Sequence, residues 1–288
     1  MNRRRKFRIP YFSKPHPAVA VVRLAGVIGR GTPPVRSGLS ASGLVQTLER
    51  AFSLKGLRAV ALAVNSPGGA PAQSALIQKR IRALAEAKDV PVIAFAEDVA
   101  ASGGYWLACA ADEIYADESS IIGSIGVISS GFGFTELLDK IGVERRLHTS
   151  GDRKGMLDPF SPENPDHVER LEKLQGEIHE SFKQMVRERR AGKLKGDERD
   201  LFSGEFWTGK RALELGLVDG LGELTQVMRE KFGENVKFRP VGQRQSWLKR
   251  RFGLSPAWSG GLPDWHGGWA DDLLGAVEAR ALWGRYGL

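Results

Sequence analysis

Ser102 stands in the run Ala100-Ala101-Ser102-Gly103-Gly104-Tyr105-Trp106, between a short apolar strand pattern at 91–96 and a helix-like run that follows. A serine at a strand-to-helix turn can project its hydroxyl at the edge of a sheet. Glycines after it leave backbone amides open to a substrate oxygen. Such a serine is a candidate nucleophile, but a serine in the same place also caps a helix, and the residues alone leave both roles open. A hydroxyl becomes a useful nucleophile only when a base removes its proton. Of the five histidines only His148 falls at the end of a candidate strand. Ala100 fills the place of the first glycine in a Gly-x-Ser-x-Gly elbow, so a Ser-His-Asp triad has no motif behind it. The other candidate base is Lys154, in the loop Thr149-Ser150-Gly151-Asp152-Arg153-Lys154-Gly155. An ordinary lysine, with a pKa of about 10.4, is neutral in about one molecule in two thousand at pH 7. It serves as a base only when burial or nearby positive charge lowers that value, and otherwise it is a solvated loop residue.

A second glycine turn, Val64-Asn65-Ser66-Pro67-Gly68-Gly69, follows a strand pattern and opens a helix near Pro71. Free amides at a helix N-terminus suit an oxyanion, a phosphate or simply a tight turn. The absence of a lysine-serine ending of the P-loop type weakens the phosphate reading.

The elements that must position these residues alternate between short β-type runs and amphipathic helical runs. Strands are expected at 19–24, 59–64, 91–96, 113–115, 125–129 and 143–148. Helices are expected at 41–53, 71–87, 104–111, 135–140, from 166 to about 190, at 209–215, and finally up to about 232. Strands alternating with helices indicate βαβ units and an α/β fold with a mostly parallel sheet. Residues 1–17, basic and rich in proline, read as a flexible arm, and 18–240 as the folded domain. Residues 241–288 hold five of the seven tryptophans among glycines and prolines, with an amphipathic helix expected at 269–286.

The chain has 288 residues, 26% charged and 42% hydrophobic, an ordinary globular mixture with enough length for a full core. Its net charge of +8 is concentrated near the two ends, at Arg3, Arg4, Arg5, Lys6 and Arg8 and at Lys249, Arg250 and Arg251. Such clusters favour contact with anionic lipid heads, and no motif points to a specific nucleic acid. The only cysteine, Cys109, reads as a small core residue, and no disulfide can form within the chain. No run reaches the ~18 apolar residues of a membrane span, and no clear signal peptide follows the basic start. The expected location is cytoplasmic or peripheral to a membrane.

Taken in order, Asn65-Ser66-Pro67-Gly68-Gly69, Ala101-Ser102-Gly103-Gly104-Tyr105, Gly123-Ser124-Ile125-Gly126-Val127 and Lys154 resemble the signal peptide peptidase A family of serine-lysine proteases. The resemblance runs from about residue 18 to 224. It implies a Clp-protease/crotonase-like spiral of ββα units. It also implies Ser102 as acylating nucleophile, Lys154 as general base, the amides of Gly69 and Gly103 as oxyanion hole, and Ser124 as the hydroxyl that orients the lysine. By the same resemblance the substrates are extended apolar peptides such as signal-peptide remnants, with no metal or cofactor. The chains form a homo-oligomer, an octamer in short members, where the lysine can come from a neighbouring subunit. Family members of this size commonly carry an N-terminal membrane anchor, whereas this chain opens on an arginine-rich arm. Two rival readings share the fold: a crotonase-type acyl-CoA enzyme, which also uses a glycine-built oxyanion hole, and a non-catalytic membrane-associated scaffold.

Overall fold

A computed structural model of the chain describes residues 16–29, 38–151, 153–242, 277 and 280–288. In chain order the elements are β1 (Ala18–Ala25), α1 (Ala41–Ala51), β2 (Leu57–Ser66), α2 (Pro71–Lys88), β3 (Val92–Ala101), α3 (Gly103–Ala108), β4 (Glu113–Ala116) and β5 (Ile121–Gly123). They continue with α4 (Thr135–Ile141), α5 (Pro165–Arg189), α6 (Glu198–Leu201), β6 (Phe206–Thr208), α7 (Gly209–Glu214), β7 (Gly220–Leu221), α8 (Leu224–Phe232) and β8 (Lys237–Val241).

The strands form one eight-stranded sheet with the path β6-β5-β3-β2-β1-β8, while β4 pairs with β3 and β7. Every pairing is parallel except β5 with β6. This is the mostly parallel α/β class that the sequence implies. Strands β2 and β3 are nearly unbroken apolar runs because helices cover both faces of a parallel sheet. On one face Val22, Leu24, Leu62, Val64 and Ala94 pack with α1, α2, α3 and α5. On the other, Val19, Ala59, Ala61, Ile93 and Phe95 meet Val227 and Met228 of α8.

Local sequence explains where the helices begin. Ser40 Oγ accepts the Gly43 amide at 3.2 Å to open α1, and Asn164 Oδ1 accepts the Asp166 amide at 2.9 Å to open α5. Helix α2 has no side-chain cap; Pro71 in its first turn removes one amide that would otherwise need a partner.

Two expected strands are corrected. The strand expected at 125–129 lies earlier, as β5, because Ile121–Gly123 can pair with Val99–Ala101 of β3. Ser124 then turns to a φ of 53°, which ends the ladder. Residues 143–148 form no strand: they are exposed and have no neighbouring strand with which to exchange hydrogen bonds. Strand β3 also runs five residues past the expected end at Ala96. The Glu97-Asp98 pair that suggests a stop is accommodated at the edge, where Glu97 meets Arg23 at 2.8 Å and Asp98 accepts from Asn65 Nδ2 at 2.7 Å.

The basic arm at 1–17 lies outside the described residues except for 16 and 17. The aromatic tail lies outside them except for 241, 242, 277 and 280–288. Of the helix expected at 269–286, the described part has helical turns at 280–284. Trp283 and Tyr286 pack on Val99, Ala101 and Ile121, forming a third, smaller apolar cluster. Among the described residues no helix is long and apolar enough to cross a membrane.

Candidate active site

Three parallel strands deliver the site to one edge of the sheet. Strand β2 ends at Ser66 and passes through Pro67-Gly68-Gly69 into α2; β3 ends at Ala101 and passes through Ser102 into α3; β5 ends at Gly123 before Ser124. The C-terminal edge of such a sheet is where loops and helix N-termini converge, and it is the usual place for a ligand.

Ser102 has φ 53° and ψ −122° and makes no side-chain cap bond to α3. The capping role left open by the sequence is therefore not the one it plays. A non-glycine residue in this region is strained, and such strain collects at functional sites because surrounding contacts must enforce it. Here the enforcement is visible. The Ser102 amide donates to Gly123 O at 2.8 Å, the Trp106 amide donates to Ser102 O at 3.0 Å, and α3 is buried along its whole length. Gly104 allows that helix to sit directly on the preceding turn, for a Cβ there would lie 2.3 Å from Ser66 O.

The glycine turn lies against the serine. A Cβ on Gly68 would stand 2.8 Å from Ser102 Cβ and 2.9 Å from Gly103 N, and a Cβ on Gly103 would stand 3.3 Å from Gly69 N. Ile28 fixes the turn from the other side, donating to Gly68 O at 2.8 Å and accepting the Ala70 amide at 2.7 Å. Those two bonds take the groups flanking Gly69, and among the described residues no acceptor takes the Gly69 amide, whose nitrogen lies on the Gly103 side. The Gly103 amide, in the first turn of α3, has no intrahelical partner either. Two uncommitted amides beside one strained serine can stabilise negative charge on a bound oxygen.

Ser124, 4% exposed, follows Gly123 directly and is held by its amide bond to Glu205 O at 2.6 Å. His179 of α5 donates Nε2–H to Ile125 O at 3.0 Å and pins the same segment. The structure thus brings Gly69, Ser102, Gly103 and Ser124 to one edge. Lys154 is exposed in the stretch 127–164, and among the described residues no hydrogen bond joins its amine to Ser102 or Ser124. His148 is exposed in the same stretch.

Sequence reasoning passes over Ile28, whose backbone holds the Gly68-Gly69 turn, because nothing in Val27-Ile28-Gly29 distinguishes it from the fraying end of a strand. It places Asn65 within the glycine-turn motif but gives it no role; Asn65 takes the Val99 amide on Oδ1 at 3.3 Å while its Nδ2 donates to Asp98. An asparagine next to a proline-glycine turn is the one signal that could have marked it.

Below the site, Arg190 is 2% exposed; its Nη1 donates to Asp219 at 2.6 Å and its Nη2 to Gly216 O at 2.7 Å. Burial acts to raise the Asp219 pKa, but hydrogen bonds from Arg190, Lys193 and the Ile114 amide outweigh it and hold the carboxyl below the usual range. Tyr105 of α3 donates to Leu217 O at 2.8 Å beside this pair, so the turn at 216–219 braces the helix that carries the serine. Burial pushes the Cys109 thiol up to about 12, which keeps it protonated and inert.

A strained serine at the end of a strand, with free amides on both flanks, is the kind of arrangement that serine hydrolases use. A family model, peptidase family S49, matches residues 85–236, more than half of the chain. The chain is 33% identical to a chloroplastic serine protease, SPPA, of Arabidopsis thaliana over 73% of its own length and 31% of that protein. It is 32% identical to putative protease slr0021 of Synechocystis over 74% of its own length and 73% of that protein. A longer Brucella melitensis protein named Na(+)/H(+) antiporter NhaA is 51% identical over 94% of this chain, which spans 37% of that protein's length. Among solved structures, a 1510-N membrane-bound stomatin-specific protease aligns with a TM-score of 0.46 and 14% identity, covering 80% of this chain and 99% of that one. The chain belongs to peptidase family S49.

Proposed function

We propose that the protein is a serine endopeptidase in which Ser102 is the nucleophile and Lys154 the general base. The observation that carries this reading is the strained Ser102, at φ 53°, set between the uncommitted amides of Gly69 and Gly103. A neutral Lys154 amine takes the proton from Ser102 Oγ as the oxygen bonds to the peptide carbonyl carbon. The carbonyl electron pair moves to oxygen, which accepts hydrogen bonds from Gly69 and Gly103. When the carbon–nitrogen bond breaks, the lysine ammonium gives its proton to the leaving amine. Water then attacks the ester, the lysine takes the proton from water, and Ser102 leaves with a proton returned to it. Ser124 aims the amine.

The exposure of Lys154 on the stretch 127–164 supports a lysine supplied to the serine of a neighbouring copy in a homo-oligomer. That stretch also presents Ile128, Phe132, Leu137 and Ile141 to solvent, as an unfilled interface would. Extended apolar peptides, signal-peptide remnants among them, are the substrate class, seated along the edge where β2, β3 and β5 end.

A serine-reactive acylating probe tests the reading. Labelling at Ser102, lost in Ser102→Ala and weakened in Lys154→Ala, is the expected result. Equal labelling of the Ser102→Ala chain overturns it.

A further inference from the structure

Strand β3 does not run straight to Ser102. Val64 of β2 pairs with Ala96 and Ser66 with Ala100, so β3 uses four residues where β2 uses two. The opposite flank breaks at the same place: β4 pairs with β3 as far as Ala96, and β5 takes over at Val99. At about 3.3 Å per residue, the two extra residues draw the end of β3 back by about 7 Å. On an unbroken ladder Ser102 would overshoot the glycine turn by that distance. With the jog it draws level with Gly68, where an added Cβ would stand 2.8 Å from the Ser102 Cβ. Bulges next to active sites re-aim side chains in this way.

A jog strands backbone groups that a regular ladder would pair. Two side chains take them here, one from each flank. Asn65 Oδ1 accepts the Val99 amide at 3.3 Å, and Asn65 Nδ2 donates to Asp98 Oδ2 at 2.7 Å. Ser120, 2% exposed, donates Oγ–H to Glu97 O at 2.6 Å and accepts the Asp117 amide at 3.0 Å. The Asn65 carbonyl also accepts the Gly26 amide at 2.9 Å, which fixes the residue to the end of β1. Asn65 thereby joins the strand before the Gly68-Gly69 turn to the strand before Ser102.

We propose that Asn65 is a positioning residue for the reaction of Ser102. Its side chain, with Ser120 opposite, sets the length of the jog in β3 and hence the place of the Ser102 hydroxyl relative to the Gly69 and Gly103 amides. The proposal rests on the peptidase reading for what Ser102 does. An amide suits the position because the jog asks for an acceptor toward Val99 and a donor toward Asp98. An aspartate there offers acceptors only.

Asn65→Asp keeps the acceptor for Val99 and sets a second carboxylate against Asp98, which opens the jog. With a fluorogenic apolar peptide and a chain folded by circular dichroism, kcat falls about tenfold or more while KM stays within about twofold. Adding Asp98→Asn returns a donor from the other side of the same bond, and kcat recovers to within about threefold of the unsubstituted chain. Unchanged kcat in Asn65→Asp, a loss expressed in KM alone, or a double variant as slow as the single one overturns the proposal. If Asn65→Asp does not fold, Ser120→Ala carries the test: kcat falls about threefold or more at constant KM, and unchanged kcat overturns the proposal. Amide exchange reads the geometry without catalysis. The Ser102 amide, bonded to Gly123 O, exchanges faster in Asn65→Asp and recovers in the double variant, and unchanged exchange overturns the proposal. The same shifts in a chain whose unsubstituted form hydrolyses no peptide retain the role of the jog and reject the peptidase reading.

Discussion

The amide of Ser102 donates to the carbonyl oxygen of Gly123 at 2.8 Å, and this one bond ties the turn of the proposed nucleophile to the residue before Ser124. The serine and the hydroxyl assigned to aim its base are thereby fixed by the same two strands. The contact also holds Ser102 in its unfavourable backbone conformation.

That strain separates two substitutions that both remove the Ser102 hydroxyl. Ser102→Ala and Lys154→Ala each lower peptide hydrolysis by about 10⁴-fold or more while circular dichroism is unchanged. Ser102→Gly is equally inactive, yet it tolerates φ 53° and unfolds with about 1 kcal/mol more stability than Ser102→Ala. Urea titration of the two variants checks this; equal midpoints contradict a strained serine.

Gly69 has φ 141°, and a Cβ there would lie 2.0 Å from Ile28 O. Gly69→Ala swings its amide out of the oxyanion position and lowers kcat by about 10²-fold to 10³-fold. Labelling of Ser102 by an acylating probe slows in parallel, and stopped-flow measurement of the acylation rate checks it.

The Arg190–Asp219 pair contributes to acid sensitivity. The Asp219 carboxyl is held below its unfolded value, so its contribution is fully present above about pH 4 and is lost as pH falls through the folded value. Asp219→Asn leaves the buried guanidinium without its counter-charge and costs about 3 kcal/mol at neutral pH. Thermal melts at pH 7 and pH 3 should show the unsubstituted chain losing much of its advantage over Asp219→Asn in acid.

Cys109 is fully buried in α3's C-terminal turn with its thiol held neutral. Iodoacetamide leaves the folded chain unmodified for hours at pH 8 and alkylates it promptly in urea. Rapid labelling of the native form contradicts this account.

Much of this arrangement is legible in the sequence because it follows from local pattern. The apolar run at 91–96 and the paired glycines after Ser102 announce a strand, a turn and a helix, and Pro71 marks the start of α2. What is not legible depends on neighbours distant in the chain. Nothing near Ser102 states that its φ is positive, since that comes from the Gly123 carbonyl and the burial of α3. The position of β5 is set by pairing with Val99–Ala101, which overrides the β-type run Ile125-Gly126-Val127. The charged Glu97 and Asp98 hide the continuation of β3, because Arg23 and Asn65, which accommodate them, lie on other strands. Lys154 carries no local mark of function at all, and only its order after three glycine motifs singles it out.

The bonds from Ile28 to the glycine turn bear on how the protein is made. The clamp leaves from β1, the turn follows β2 and the serine follows β3, so all three strands must be paired for the Gly69 amide to lie beside Ser102. Buttressing of α3 then waits for Arg190 and the turn at 216–219. On the proposed reading, a chain that stops soon after Ser102 lacks the contacts that brace α3, so partial chains of that length are expected to be inactive.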